Sequence, residues 1–215
     1  MSDGSFTHSR PTPALGRPHA FRIATVAIVR RAVDLLVGAL LLAIVAPACL
    51  LIAAAILVEG DGAVFFTQTR VGRGGHPFRI LKFRTMAPGM VRNTTSASPL
   101  RQRGDDPRCT RVGHCLRRSH LDELPQLVNV ILGDMTLVGP RPLVPEEDEI
   151  VIRAWAQRRN ERPGLTGEWQ VLRSPERTVE ELIALDQRYL ARRSPWRELS
   201  VLARTVGCVA RGRGR

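Results

Sequence analysis

Two adjacent carboxylates, Asp122 and Glu123, lie in the segment of the chain most suited to chemistry, residues 117–142. Arg117 stands just upstream, and its guanidinium can fork onto phosphate oxygens. If Asp122 is the N-cap of a helix that ends at Gly133, the helix N-terminus adds partial positive charge and free N–H groups. Such an N-terminus attracts anions, so the segment predicts a site for a phosphate-bearing substrate.

Two carboxylates beside a bound phosphate would repel it, so this pair calls for a metal ion. Mg²⁺ binds one or two carboxylates together with substrate phosphates and resolves the conflict. Basic neighbours also keep an aspartate ionised, as a nucleophile must be. A capped helix with Glu in its first turn is nevertheless common, and the local pattern also fits a structural helix start. The chain continues into a rigid Gly-Pro-Arg-Pro turn that presents Arg141 as one fixed guanidinium.

The charge balance of the chain favours anionic partners. The 215 residues carry a formal net charge of +12, and the pI is about 11.3. Nucleic acid, acidic lipid headgroups and phosphorylated small molecules all suit such a protein. Lys82 is the single lysine among 32 basic residues, which is interesting because an ammonium and a guanidinium are not interchangeable at a shaped site.

An uncharged apolar run over 35–58 predicts a segment that inserts into a membrane. A buried core helix is the weaker alternative for so long a run in a chain of this size. As a helix the run measures about 36 Å, enough for a hydrocarbon core of about 30 Å. Basic residues flank both ends, as expected of the cytoplasmic side, and Pro47 bends the middle. We therefore predict a re-entrant membrane helix over 21–59, broken at Pro47, after a disordered leader at 1–20.

The remainder predicts a small catalytic domain over 60–209 and a basic tail over 210–215. The fold class is α/β (α+β), mostly helical. Two short β-prone stretches flank a glycine-rich turn, and a polar loop follows them. Charge polarity and breakers then predict three helices. These elements are strands at 64–66 and 78–84, a turn at 72–75, a loop at 87–107, and helices at 146–160, 176–189 and 197–209.

Four cysteines without a C-x-x-C pair are typical of a reduced protein that faces the cytosol. Cys109, His114, Cys115 and His120 form a string that raises the alternative of a zinc site. Their spacing matches no common zinc template, so ordinary buried or solvated side chains are the preferred interpretation.

Motifs along the chain resemble those of the bacterial sugar transferases, the small monotopic phosphoglycosyl transferases of glycan assembly. The central motifs are Leu121-Asp122-Glu123-Leu124-Pro125-Gln126-Leu127, Asn129, Gly133-Asp134-Met135 and Leu137-Val138-Gly139-Pro140-Arg141-Pro142. Flanking motifs follow in order: Phe66-x-Gln68-x-Arg70-Val71-Gly72, Lys82-Phe83-Arg84-x-Met86, Asp106-Pro107-Arg108-x-Thr110-x-x-Gly113 and Arg162-Pro163-Gly164-x-Thr166-Gly167-x-x-Gln170.

The resemblance implies one re-entrant helix that holds a small α/β domain at the cytoplasmic face of the inner membrane. It implies transfer of a sugar-1-phosphate from a UDP-sugar to undecaprenyl phosphate, with release of UMP. Asp122 matches the nucleophile that forms an aspartyl-phosphosugar intermediate, and Glu123 matches its partner, which binds Mg²⁺. The residues implied to bind substrate are Lys82, Arg84, Arg117, Arg141 and Asp186.

Two positions depart from the family pattern. Ala46-Pro47 stands where the family usually has Ser-Pro, and alanine has no hydroxyl to satisfy backbone groups that the proline frees. Glu198 replaces a late aspartate. Anionic membrane lipids are expected partners of the basic surface. The oligomeric state stays open, with a homodimer as one option, and the sugar is not identified.

Three other functions compete with this interpretation. The pI suggests a membrane-tethered nucleic-acid binder, but aromatic residues make up only 5% and no nucleic-acid motif occurs. We therefore expect no nucleic-acid partner. A non-catalytic scaffold of a glycan-assembly complex would keep the fold, although the intact carboxylate pair argues against it. A glycosyl transferase that moves sugar without phosphate would release UDP instead of UMP.

Overall fold

The computed structural model describes residues 17–60, 62–89, 106–172 and 178–210, with side chains described from residue 25 to residue 209. The predicted leader up to residue 16, most of the predicted loop at 87–107 and the tail beyond residue 210 lie outside the described residues. The described chain is mostly helical, with two small sheets, in agreement with the predicted class.

A single long helix, α1 (Arg17–Glu59), begins the described chain and contains Pro47. Its stretch Thr25–Glu59 is long and apolar enough to cross a membrane. The helix starts earlier than the predicted residue 21, and its assignment runs through Pro47 without interruption. The predicted re-entrant path is therefore neither shown nor contradicted by the assignment, and it stays a prediction.

Strands β1 (Phe65–Val71) and β2 (Pro77–Phe83) form an antiparallel hairpin. The glycine-rich turn between them is confirmed: Arg73–Gly75 make a 3-10 turn in which Gly74 has a φ of 71°. A positive φ of this kind suits glycine because it has no Cβ. The hairpin pairs Phe66 with Lys82, so the only lysine lies close to the end of β2 that is far from the turn.

Strands β3 (Thr136–Val138) and β4 (Gly164–Thr166) pair in parallel and form the second sheet. Parallel strands bring their carboxyl ends to the same edge, where α/β proteins bind ligands. Both strands are largely buried. The turns that follow them therefore emerge side by side at one edge of the core.

Six shorter helices complete the described chain, and three predicted helices are confirmed with shifted bounds. The predicted 146–160 is an α-helix followed by a 3-10 turn, and the last two helices start at different residues from those predicted. The helices are α2 (Arg111–Ser119), α3 (Gln126–Leu132), α4 (Pro145–Ala154), α5 (Glu168–Val171), α6 (Val179–Ala191) and α7 (Pro195–Ala210), with 3-10 turns at Leu121–Glu123 and Ala156–Asn160.

One face of α1 packs against the rest of the chain along most of its length. Val37, Leu41 and Val45 contact the main core cluster, which includes Ile80 and Val130. Nearer its end, Cys49, Ile52 and Ile56 pack with Phe83 and Leu116. The opposite face leaves large apolar side chains exposed, among them Leu36, Leu40, Ile44, Leu50 and Leu57. The helix therefore has one protein-facing and one unpartnered apolar side.

Polar contacts fix α1 to the same globular part at two places, one in its first half and one at its C-terminal end. Asp34 is only 5% exposed, and it accepts hydrogen bonds from the Thr136 hydroxyl and the Leu137 backbone. Arg31 donates to the carbonyls of Val130 and Ile131, each at 2.6 Å, and so satisfies the free carbonyl end of α3. At the other end, Glu59 accepts from the backbone N–H of Val112 at the start of α2. The helix is therefore part of the fold and not a loose tether.

Gly164 stands where β3 and β4 approach too closely for a side chain. A Cβ there would lie 2.1 Å from the backbone nitrogen of Gly139 and 2.5 Å from the carbonyl of Thr166. We expect Gly164→Ala to destabilise the fold by about 3 kcal/mol, since only backbone movement relieves the overlap. This loss corresponds to a fall of about 10 °C in the melting temperature for a chain of this size.

The measurement is a thermal melt of the purified protein in detergent, with Gly207→Ala as the matched control. A Cβ at Gly207 meets nothing within 4 Å, and the residue lies inside α7. Alanine is favoured over glycine within a helix, so the control should melt at or slightly above the wild-type temperature. Equal melting temperatures for the two variants would contradict the packing described for β3 and β4.

Candidate active site

Asp122 and Glu123 lie in the 3-10 turn Leu121–Glu123. The prediction that Asp122 caps a helix is wrong: His120 ends α2 in the left-handed conformation, the 3-10 turn follows, and Pro125 is the N-cap of α3. Gly133 is confirmed as the C-terminal cap of α3. Because α3 begins only after Pro125, the positive charge around the two carboxylates must come from side chains.

Lys82 supplies the closest of these charges. Its Nζ lies 2.6 Å from Oε1 of Glu123, and both side chains are about one-fifth exposed. Burial alone would raise the pKa of Glu123, but Lys82, assisted by His120 and Arg141, outweighs it and holds the pKa well below its usual range. Glu123 is therefore a carboxylate at every pH near neutrality.

Asp122 is itself buried, at 8% exposure, directly before Glu123. Arg117 lies at the end of α2, and its Nε donates to the Thr85 hydroxyl at 2.9 Å. This hydrogen bond leaves the terminal nitrogens of the guanidinium for other partners, and one of them lies 3.9 Å from Asp106. The structure thus brings Glu123 next to Lys82, and Arg117 is held at the end of the adjoining helix.

The carboxyl ends of β3 and β4 present the next part of the site. Arg141, from the turn after β3, lies over the ring of Trp169 from α5, with 4.5 Å between the guanidinium carbon and the ring centroid. A planar guanidinium on an indole face is a favourable cation–π contact that fixes the arginine. Gln170 follows, and its amide nitrogen donates to Oε2 of Glu123 at 3.3 Å.

Arg70 is a further cation of the site, although no role was predicted for it from the sequence. Burial and then the positive charge of Arg141 lower its pKa to about 10, while Glu147 and Glu123 act in the opposite direction. Its guanidinium donates to the Pro142 carbonyl and to Gln68. Two guanidinium groups held close together in a partly buried site favour a multiply charged anion between them, such as a diphosphate.

Asp186 lies deeper than the other predicted site residues. It is 3% exposed and accepts from Nε of Arg158 at 3.3 Å. Arg158 in turn donates to the backbone carbonyl of Arg141. Burial raises the pKa of Asp186 to about 6 although Arg158 opposes the shift. The contact that the structure shows is therefore a support behind Arg141, and direct binding of substrate by Asp186 stays a prediction.

Two further residues singled out from the sequence contact α1. Arg84 donates to the carbonyls of Ile56 and Gly60 at the end of that helix, so its predicted contact with substrate also stays a prediction. Glu198 lies 3.1 Å from Arg30 and accepts from the Tyr189 hydroxyl at 2.9 Å. At this position the glutamate ties α7 to the membrane helix.

The donor set of the site fits Mg²⁺. No group of three or more Asp, Glu, His or Cys side chains comes together anywhere in the described ranges, the Cys109–His120 string included. Mg²⁺ does not require one, because it takes one or two carboxylates and fills its shell with phosphate and water. Gln170 Oε1 is buried without a hydrogen-bond partner beside Glu123, and an unpaired amide oxygen is a hard ligand of the kind Mg²⁺ accepts.

A buried Asp122, a half-buried Glu123 paired with Lys82, and the nearby arginines Arg70 and Arg141 are typical of an enzyme that handles phosphate. The long apolar stretch of α1 fits such an enzyme at a membrane. The family profile of the bacterial sugar transferases matches residues 25–212. The chain therefore belongs to this family and is a phosphoglycosyl transferase, as predicted from its motifs.

Three relatives show the range of proteins to which the chain is similar. The UDP-glucose:undecaprenyl-phosphate glucose-1-phosphate transferase of Caulobacter vibrioides is 48% identical over 185 residues, which cover 82% of this chain and 68% of that protein. The exopolysaccharide production protein ExoY of Rhizobium meliloti is 35% identical, with coverage of 86% and 87%. The Escherichia coli UDP-glucose:undecaprenyl-phosphate glucose-1-phosphate transferase is 35% identical over 83% of this chain but only 39% of its own length.

Proposed function

We propose that this enzyme transfers a sugar-1-phosphate from a UDP-sugar to undecaprenyl phosphate and releases UMP, as a first membrane step of exopolysaccharide assembly. The observation that carries the proposal is the buried Asp122 next to Glu123, which pairs with Lys82 and lies within the electrostatic reach of Arg70 and Arg141. UDP-glucose is the first candidate donor because relatives named for it include the one that is 48% identical.

In the first half of the proposed reaction, a carboxylate oxygen of Asp122 attacks the phosphorus that carries the sugar. The bond from this phosphorus to the bridging oxygen breaks, UMP leaves with the electron pair, and the sugar phosphate becomes an acyl phosphate on Asp122. Arg70 and Arg141 offset the charge of the diphosphate, which would otherwise repel the attacking carboxylate. Mg²⁺, held by Glu123 and Gln170, would further neutralise the phosphate oxygens.

In the second half, an oxygen of undecaprenyl phosphate attacks the same phosphorus and Asp122 leaves as a carboxylate. The products are undecaprenyl diphosphosugar and the regenerated enzyme. No proton need be removed from the acceptor when its phosphate is ionised, so the site requires cations more than a general base. Lys82 and the arginines near Glu123 supply these cations.

The test is a panel of UDP-sugars, each incubated with the full-length protein, Mg²⁺ and undecaprenyl phosphate, with separate quantitation of UMP and UDP. The proposal requires UMP and a lipid diphosphosugar in equal amounts. UDP as the nucleotide product would instead indicate direct glycosyl transfer. An enzyme that makes neither nucleotide from any sugar of the panel would support the scaffold alternative.

We further propose that α1 enters the membrane and returns to the same, cytoplasmic face of the inner membrane. Arg31 and Asp34, which precede the apolar run 35–58, and Ile56 and Glu59 at its far end all contact one globular part. A straight helix over these residues is about 40 Å long. If it crossed the bilayer, the part that contacts both ends would have to lie in the hydrocarbon core.

Topology can be measured with cysteines placed at the two ends of α1 in a background that lacks the native cysteines. We expect Thr25→Cys and Gly60→Cys to resist a membrane-impermeant maleimide in intact cells, and both to react after permeabilisation. A cysteine on a known periplasmic protein serves as the positive control. Reaction of either end in intact cells would show a spanning helix.

A further inference from the structure

A cavity of about 430 Å³ opens at the turn end of the β1–β2 hairpin. Arg73, His76, Asp134 and Arg162 contribute to its walls. Lys82 lies near the other end of β2, four residues beyond Phe78, which corresponds to about 13 Å along the strand. The cavity is therefore separate from the reaction centre, and the mechanism above uses none of its residues.

The cavity carries an excess of positive charge. In the parts of the chain that the structure describes, the guanidinium groups of Arg73 and Arg162 have no hydrogen bond and no ion pair. Burial, reinforced by the nearby charges of Arg31 and Arg73, lowers the pKa of Arg162. Asp134 provides one opposing charge and accepts a hydrogen bond from Asn129 at 3.3 Å. Arginines that converge without carboxylate partners favour an anion with several oxygens.

The position of the cavity relates it to the membrane surface. Arg31, whose guanidinium would lie 3.2 Å from a Cβ on the lining residue Gly133, stands four residues before the apolar run of α1. Leu132, the neighbour of Gly133, is 70% exposed, and Leu36 on the outer face of α1 is 73% exposed. A basic cavity next to exposed apolar side chains matches the boundary between phosphate headgroups and acyl chains.

We propose that this cavity is a phosphate-binding site, built by Arg73 and Arg162, that takes the phosphate of an anionic lipid headgroup or of a soluble phosphate compound. A lipid phosphate held here would fix the depth and orientation of the catalytic part relative to the bilayer. The proposal does not depend on the identity of the donor sugar or on the covalent intermediate.

Binding is measured on the full-length protein in a non-ionic detergent, by the rise in melting temperature with added ligand. The three ligands are short-chain phosphatidylglycerol, short-chain phosphatidylcholine and inorganic phosphate. We expect Arg73→Ala and Arg162→Ala each to weaken binding of the anionic ligand about fivefold, and the double variant about 25-fold. Arg153→Ala removes an exposed arginine of α4 and should bind as the wild type does.

The ligand series distinguishes the two sources of phosphate. Tighter binding of phosphatidylglycerol than of inorganic phosphate identifies a lipid site, and equal binding of both identifies a site for soluble phosphate. Phosphatidylcholine should bind weakly, because its phosphate is balanced by choline. The proposal is overturned if the double variant binds every ligand as tightly as Arg153→Ala does. UMP release is assayed in parallel, and its absence in the wild type would refute the proposed reaction and not this site.

Discussion

Asp122→Asn is expected to lower the rate of UMP release by at least about 10⁴-fold, the scale of loss seen when a covalent nucleophile is removed. The substitution keeps the size of a side chain that is only 8% exposed, so the site should remain packed. An amide lacks the charge and the basicity to displace UMP from phosphorus. The variant should therefore bind the donor and fail at the first chemical step.

The decisive measurement is the intact mass of the protein after incubation with UDP-glucose and Mg²⁺ in the absence of lipid acceptor. The wild type should gain one sugar phosphate, and Asp122→Asn should gain nothing at any time. Glu149→Gln, which neutralises an exposed carboxylate on α4, should form the adduct at the wild-type rate. A wild type that turns over without ever gaining mass, or an active Asp122→Asn, would exclude the covalent route.

Lys82→Met is expected to lower the rate about 10²- to 10³-fold near pH 7.5, comparable with the removal of one preorganised charge from an active site. Methionine keeps much of the volume but leaves Glu123 without the ammonium that lies 2.6 Å from it. Burial, which by itself raises the pKa of Glu123, would then be opposed by weaker influences such as the charges of His120 and Arg141. The pKa of Glu123 should rise.

The direction of the change in the pKa of Glu123 can be measured from the pH dependence of the rate. In the wild type the lowered pKa keeps Glu123 ionised, and its ionised form contributes stability that is lost only as the pH falls through that low value. In Lys82→Met the acidic limb of the rate profile should move to higher pH. Lys82→Arg keeps the charge and should leave the limb in place. Arg79→Met removes an exposed cation from the same strand and is the control. An unshifted acidic limb in Lys82→Met would contradict the role given to the Lys82–Glu123 pair.

Local patterns made parts of the fold predictable. The apolar run 35–58 gave the long helix, and the glycines at 72–75 gave the hairpin turn, because length and turn chemistry act over a few residues. The predicted N-cap at Asp122 was wrong because local patterns do not show two features of this segment. His120 adopts the left-handed conformation, and a 3-10 turn lies between α2 and α3.

Contacts between distant segments could not be predicted in the same way. The motifs named Arg70 and Gln170, yet their roles depend on the fold bringing Arg70 of β1 and Gln170 of α5 near Glu123. Asp34 precedes the uncharged run, and no role was predicted for it, although it is buried against Thr136. Tertiary packing decides which distant segments come together, and the spacing of residues along one chain does not reveal it.

The hydrogen bonds of Arg30 and Asp34 determine when α1 can complete its contacts during synthesis of the chain. Arg30 donates to the Tyr189 hydroxyl 159 residues later, and Asp34 accepts from Thr136, which is 102 residues later. Chains emerge from the ribosome N-terminus first, so α1 is available to the bilayer before any of these partners has been made. The charged side chains of Arg30 and Asp34 are therefore solvated by water and lipid headgroups until translation has produced their partners. Glu198 of α7 then binds Arg30 of α1, so a contact of α1 is completed only after α7 has been synthesised.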